Sequence, residues 1–355
     1  MPPIVLFVLR RMLGIPVTLL IITLILYAIA MLTPVEARAM IYFPDVKKNL
    51  TEEEEARIVR MIIDRHGLDQ PFPVQYGNWL ANLAQGQWGW SPTINAPVLS
   101  ALLVRTPATA ELTLYSLAVF IPLGLAGGVL AGWQHGRGFD HRFRTVAFVA
   151  TSVPPFILAL MLLGLFYVGL YWFPPERLGI VMSQTVRPPG FTAYTGLYTL
   201  DGLLNNRLDV TVDAARHLVL PVITLSLLHW ATLARVTRAA IIDELGKDYL
   251  VAGRARGLGS WSLMWGHAFP NTVAPALTST ALSAASLVTG VFVVETIYNF
   301  HGISELATGA LRFEPDIVTA LGFAIYSVLI VLALMLVLDL LQAFLDPRIR
   351  EGLLE

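Results

Sequence analysis

The chain carries seven histidines, His66, His135, His141, His217, His229, His267 and His301, and no two of them stand at a spacing that grips a metal. There is no His-Glu-x-x-His pair and no cysteine, which removes metalloprotease-type sites, thiolate ligands, disulfides and cysteine nucleophiles together. Structural roles are expected for all seven, and no metal site. Phosphate chemistry is missing as well, because Gly246-Lys247 is followed by Asp248 where a phosphate-binding loop requires Ser or Thr. Two carboxylates, Glu295 and Asp339, fall near the ends of apolar segments, where ionisable residues are functional candidates by default. No Gly-x-Ser-x-Gly, paired Asp or metal-binding helix motif accompanies them, so an intramembrane hydrolase has no support and no catalytic residue is assigned.

Composition explains what these residues sit in. Hydrophobic residues make up 55% of the 355 positions, charged residues only 14%, and the net charge is -1. A soluble domain carries about 25% charge. So few charges cannot cover a soluble surface, and a balance this neutral offers no basic face to nucleic acid. Six apolar segments approach or exceed the roughly 20 residues that span a bilayer as a helix. They are residues 12–35, 112–136, 145–175, 217–234, 267–294 and 317–338. The fourth is short and is placed at about 218–240, with Arg235 and Arg238 snorkelling to the interface. The first is too long for the apolar region of a signal peptide, about 7–15 residues, and reads as a retained helix.

Orientation follows from the basic residues. Arg10 and Arg11 precede the first span, Arg137, Arg142 and Arg144 lie between the second and third, Arg254 and Arg256 between the fourth and fifth, and Arg348 and Arg350 follow the sixth. Both termini and these two loops are expected in the cytoplasm. The long first loop, residues 36–105, then lies outside. It contains a helical element announced by Thr51-Glu52-Glu53-Glu54 as a capping box and by Ile58, Met61, Ile62 and Arg65 at helical spacing. Trp88 and Trp90 suit an interfacial aromatic belt. A second external region, about 172–216, is rich in turn formers such as Pro188-Pro189-Gly190 and Asn205-Asn206 and is expected to be irregular.

The most informative stretch is a polar island between the fourth and fifth spans, about 248–260. It includes Asp248, Tyr249, Ala252, Gly253, Arg254, Ala255, Arg256, Gly257 and Leu258. Asp248 favours a helix start and Gly257-Leu258-Gly259 a stop. Tyr249, Ala252 or Gly253, and Arg256 share one face, whose small residues allow another surface to approach closely. The result is a short helix across the cytoplasmic end of the bundle. It serves either as a handle for a partner or as a surface helix bound to anionic lipid.

The island resembles the cytoplasmic "EAA" loop of binding-protein-dependent ABC importer permeases, and the wider chain is similar to the B-type permease subunit of the dipeptide/oligopeptide (peptide/nickel) family. Phe7-Val8-Leu9-Arg10-Arg11, Gly67-Leu68-Asp69-Gln70-Pro71 with Pro73-Val74-Gln75-Tyr76, and Thr106-Pro107-Ala108-Thr109-Ala110-Glu111-Leu112 carry the resemblance in its first third. Val293-Val294-Glu295-Thr296-Ile297 with Gly302, and Leu345-Asp346-Pro347-Arg348-Ile349-Arg350, complete it. Val251-Ala252-Gly253 stands where the generic motif has Glu-Ala-Ala, while Gly257 is in place.

The resemblance implies an all-α integral membrane protein of the type I ABC importer permease fold, with six transmembrane helices. A first helix at 1–35 and an extracellular loop region at 36–105 precede a permease core at 106–345 and a tail at 346–355. It implies no cofactor in this chain, with ATP and Mg held by two cytoplasmic ATPase subunits. A related second permease chain, an extracytoplasmic solute-binding protein and membrane lipid are the implied partners, in a prokaryotic cell membrane. The cargo implied is a peptide, with nickel or an oligosaccharide as alternatives. A different class, an ion-driven secondary transporter, would need coupled carboxylates or broken helices at the membrane midplane. The charges of this chain gather near span ends instead. Glu295 is expected to cap the following turn or pair with a base, and Asp339 to be neutralised by Arg348 or a partner subunit. Pro154-Pro155 and Gly124, Gly127 and Gly128 can bend helices or let them approach closely, and are expected to shape helix packing, with a gating hinge as the alternative.

Overall fold

The computed structural model describes residues 3–39, 42, 51–187, 190–312 and 316–345. Pro188-Pro189 and the tail with Arg348 and Arg350 lie outside the described residues. The chain is almost entirely helical. Its helices are α1 (Pro3–Ala30), α2 (Val35–Ala39), α3 (Glu52–His66), α4 (Phe72–Ala84), α5 (Val98–Trp133), α6 (Gly138–Ser152), α7 (Pro155–Leu162), α8 (Ile180–Thr185), α9 (Tyr198–Leu204), α10 (Leu208–Leu245), α11 (Asp248–Ala255), α12 (Ser260–Ser262), α13 (Phe269–Tyr298), α14 (Ser304–Arg312) and α15 (Ile317–Leu345). Two wide-turned helical segments, Leu163–Gly169 and Leu263–Ala268, continue α7 and lead into α13. The strands β1 (Trp90–Ser91) and β2 (Ala96–Pro97) pair antiparallel, Trp90 opposite Pro97. Among the described residues five helices are long and apolar enough to cross a membrane, and six spans result if the bent pair of α6 with α7 and its continuation to Gly169 is one.

The chain divides into two compact units. The smaller comprises Leu13–Arg105 and Glu305–Leu329. Here α3 starts as the sequence indicates: Thr51 Oγ1 accepts from the Glu54 N–H at 3.4 Å, and Glu54 Oε2 accepts from the Thr51 N–H at 2.9 Å. The Thr51 N–H and, at 3.0 Å, the Thr51 hydroxyl both donate to that carboxylate and hold it below the usual carboxylate range. The face that turns inward differs from the expected one. Val59 and Ile62 pack with Ala39 while Met61 is exposed, because the stripe runs through 58, 59, 62 and 63. The two tryptophans also part company. Trp88 sets its ring edge against Tyr326 at 6.0 Å, whereas Trp90 is exposed. Asp316 caps α15 by accepting from the Thr319 N–H at 3.0 Å, and also binds the Ser91 hydroxyl at 2.5 Å.

The larger unit comprises Met1–Met12, Thr106–Ser304 and Ile330–Glu355. Its core gathers Leu112, Phe120, Leu220, Leu233, Leu287 and Tyr298, all buried, from α5, α10 and α13. Glycines bring α5 against α10. A Cβ on Gly124 would lie 2.9 Å from Leu233, and one on Gly128 would lie 2.6 Å from the Ala234 carbonyl oxygen. Close backbone approach is what small residues at four-residue spacing permit. Between α6 and α7 the axis bends by 99°. Pro154 and Pro155 cause it: neither has an N–H for the preceding turn, and each pushes the residue before it out of the helical region.

The fourth span is longer than expected, since α10 runs from Leu208 to Leu245 and takes in the end of the external region. That region is also less irregular than its composition indicates, because it contains α8 and α9. Glu111 accepts from the Thr199 N–H at 2.9 Å and from Arg177 at 2.7 Å, tying the region to α5. Arg238 has a partner in its own chain. Its guanidinium grips buried Asp140 through two hydrogen bonds of 2.6 and 2.8 Å.

Candidate functional site

The polar island forms α11, and its ends are set by local chemistry. Lys247 precedes it in extended conformation, and Asp248 opens its first turn, where a negative charge favours the helix N-terminus. At the other end Gly257 has φ +83°. Its N–H donates to the Arg254 carbonyl at 2.9 Å, and the Leu258 N–H to the Gly253 carbonyl at 3.1 Å. These two bonds make a Schellman cap, which requires the left-handed residue that glycine supplies. The helix therefore ends at Ala255, within the expected 248–260 loop.

One face of α11 is fixed to its own chain. Leu250 is fully buried among Val129, Ile241, Leu263, Met264 and Ala268. Gly253 is buried beside it, and a Cβ there would lie 2.7 Å from Leu263. Gly253 thus serves internal packing, and the helix sits close to the bundle because that position has no side chain. The remaining named positions, Asp248, Tyr249, Ala252, Arg254, Ala255, Arg256, Gly257 and Leu258, are exposed. With Val251 and Trp261, also exposed, they make a surface of two guanidinium groups interleaved with apolar side chains. Nothing lies within 4 Å of a Cβ built on Gly257. That residue is needed for its backbone, not for internal space.

Sequence reasoning missed the latch that holds this helix. Tyr249 donates to Glu244 Oε2 at 2.6 Å, and Asn271 donates to the Tyr249 hydroxyl at 3.0 Å and to the His267 carbonyl at 3.1 Å. Lys247 also pairs with Glu244. The end of α10, α11 and the start of α13 are joined through one phenol. Burial, and then the Glu244 acceptor, push the Tyr249 hydroxyl's pKa up from its ordinary value, so it stays a donor at neutral pH. The only sequence signal was an acid standing three residues before Lys247 and five before Tyr249.

The two singled-out carboxylates are structural. Buried Glu295 accepts from the Thr109 hydroxyl at 2.5 Å and the Ser304 N–H at 3.0 Å, capping α14. Gly302 is required beside it, because a Cβ there would collide with the carboxylate. Asp339 pairs with Arg11, at 2.9 and 3.2 Å. Arg348, the base expected there, lies outside the described residues.

Long apolar helices in this number define a multi-pass membrane protein, and comparison with known proteins gives the class more closely. Residues 124–351 match the family of binding-protein-dependent transport system inner membrane components, and residues 4–113 match its N-terminal companion family. The chain is 31% identical over 301 residues, 85% of its length and 88% of the relative's, to a dipeptide transport system permease protein of Alkalihalophilus pseudofirmus. It is 35% identical over 290 residues, 81% of its length and 84% of the relative's, to a di/tripeptide transport system permease protein of Pseudomonas aeruginosa. Over 344 residues, 97% of its length and 98% of the relative's, it is 27% identical to a glutathione transport system permease protein of Escherichia coli. The chain belongs to the binding-protein-dependent transport system inner membrane component family and is a transport permease subunit.

Proposed function

We propose that this chain is one of two related permease subunits of an ATP-driven ABC importer for short peptides, with six transmembrane helices of the type I fold. The relatives named above support the cargo, since they are permease proteins of dipeptide, di/tripeptide and glutathione transport systems. The termini and α11 face the cytoplasm, and α3 and α4 lie outside with the loop between the first and second spans. A solute-binding protein delivers peptide there, and two cytoplasmic ATPases hold ATP and Mg. Their closure is transmitted through α11 and switches the bundle between inward-open and outward-open states.

The observation that carries this reading is the division of labour on α11. A helix whose inner face is locked by Leu250, Gly253 and Tyr249 moves with the ends of α10 and α13. Its outer face keeps Val251, Arg254, Arg256 and Leu258 for a partner. A force applied to that outer face reaches two membrane helices at once.

Uptake by proteoliposomes tests the energy source. The chain with its companion permease and both ATPases is expected to accumulate labelled alanyl-alanine delivered by the binding protein when ATP is supplied, and the chain without ATPases is expected to accumulate none. Partner-free uptake overturns the reading. Orientation has its own check: a cysteine at Asn78 should react with an impermeant thiol reagent from outside, and one at Gly259 only after permeabilisation. The reverse pattern places α11 on the wrong side.

A further inference from the structure

Helices α6 and α10 enclose a cavity of about 590 Å³, lined by His141, Arg144, Thr145 and Phe148 from α6 and by Arg235 and Arg238 from α10. Helical spacing puts the four α6 residues on one face and the two arginines on one face of α10. Three guanidinium groups and an imidazole share a space that no carboxylate lines.

These bases differ in what they already hold. Arg238 is neutralised by Asp140, which is buried and also accepts from the Gly136 N–H at 3.0 Å, so that carboxylate is committed on both oxygens. It has nothing left for a second arginine. Arg144 and Arg235 are exposed, and neither has an ion-pair or hydrogen-bond partner for its guanidinium among the described residues. Two unpaired like charges beside one cavity repel each other, and both are relieved by an anion whose oxygens meet their planar forks.

The level of the cavity along the helices says which anion. From Val146 to Gly169 there is no Lys, Arg, Asp or Glu, and α10 has none from Leu218 to Ala234. Arg144 and Arg235 therefore stand at the same end of two apolar stretches, where hydrocarbon gives way to headgroups. Phe148 lies one turn further into the apolar stretch of α6, on the cavity's own face, and is 69% exposed. A free phosphate would use the arginines and leave that ring bare. A phospholipid uses both, and basic pockets between membrane helices at this level suit its headgroup.

We infer that the cavity between α6 and α10 binds an anionic phospholipid, with its phosphate between Arg144 and Arg235 and an acyl chain along Phe148. The phosphate ties α6 to α10 at a second point, beside the pair of Asp140 with Arg238. Such a site depends on the chain spanning a membrane and not on its cargo.

The complete transporter, purified in detergent and stripped of lipid, is titrated with dioleoyl phosphatidylglycerol, and the lipid retained is counted by native mass spectrometry. In Arg144→Gln/Arg235→Gln the affinity for the tightest-bound lipid is expected to fall about tenfold or more. Arg10→Gln/Arg142→Gln removes the same charge from exposed arginines outside the cavity and is expected to leave that affinity unchanged. Equal binding by the first variant and the parent, or an equal fall in the second, would overturn the site. Dioleoyl phosphatidylcholine, which has no net charge, is expected to bind weakly, and inorganic phosphate is expected not to displace the anionic lipid. Displacement by phosphate at equal concentration would overturn the lipid as the source of the anion. Should the first variant fail to assemble, Arg144→Lys/Arg235→Lys keeps both charges and loses both forks, so binding is expected to weaken about threefold. Unchanged binding there would overturn the site as well.

Discussion

Helix α1 and the α11–α13 segment expose surfaces of different character. On α1 the exposed positions after Arg10 and Arg11 are apolar apart from Thr18, with Leu13, Val17, Leu20, Ile21, Leu24, Ile25 and Ile29 among them. Along α13 the exposed positions mix Thr278, Ser286 and Thr289 with Pro275 and Leu282, and on α11 they mix Arg254 with Val251, with Arg256 just beyond its end. A surface of branched alkyl chains suits lipid, whereas hydroxyls and guanidinium groups need water, a partner or cargo.

The sharpest way to break the α11–α13 segment is to loosen α11 from inside. Leu250→Ala removes a fully buried side chain from the cluster with Ile241 and Leu263, and is expected to destabilise docking of the helix by about 2–5 kcal/mol. Faster amide exchange in α11, with unchanged exchange in α1, is the expected signature. Equal change in both would mean that α11 has no separate docking energy. A paired charge tests the comparison itself. Ile21→Asp places a carboxylate on the alkyl face and is expected to lower the yield of assembled transporter by the equivalent of about 2.5–3.5 kcal/mol. Thr289→Asp, at an exposed hydroxyl of α13, is expected to lower it far less. Matching losses would erase the distinction between the two faces.

The smallest effect lies in α3. The Glu54 carboxyl is held below its ordinary pKa by Thr51, so the cap it makes is complete above the unfolded value near 4.3 and is lost as pH falls through the lower folded value. Amide protection in α3 should decline with acidification in the parent. It should stay nearly flat in Glu54→Gln, whose neutral amide does not titrate in that range.

What could be read in advance was local. The Thr51 capping box, the start of α11 at Asp248 and its stop at Gly257 each depend on a few neighbouring residues and were legible, whereas residues 145–175 read as one span and the 99° break at Pro154-Pro155 did not show. So was the cap made by Glu295, which lies nine residues from Ser304. The rest depended on contacts that spacing does not reveal. Arg11 and Asp339 are 328 residues apart. Gly253 looked like part of a partner-facing surface, and only the position of Leu263 turns it inward.

The central claim is that work done on the outer face of α11 drives the bundle, and one substitution addresses it with least disturbance elsewhere. Gly257→Asp meets no atom of its own chain, but it strains the φ +83° cap and adds an anion beside Arg254 and Arg256. In the reconstituted transporter the two permeases should still assemble, while peptide-stimulated ATP hydrolysis and uptake fall together, by about tenfold for each 1.4 kcal/mol lost from docking. Assembly with normal hydrolysis and normal uptake would contradict the account.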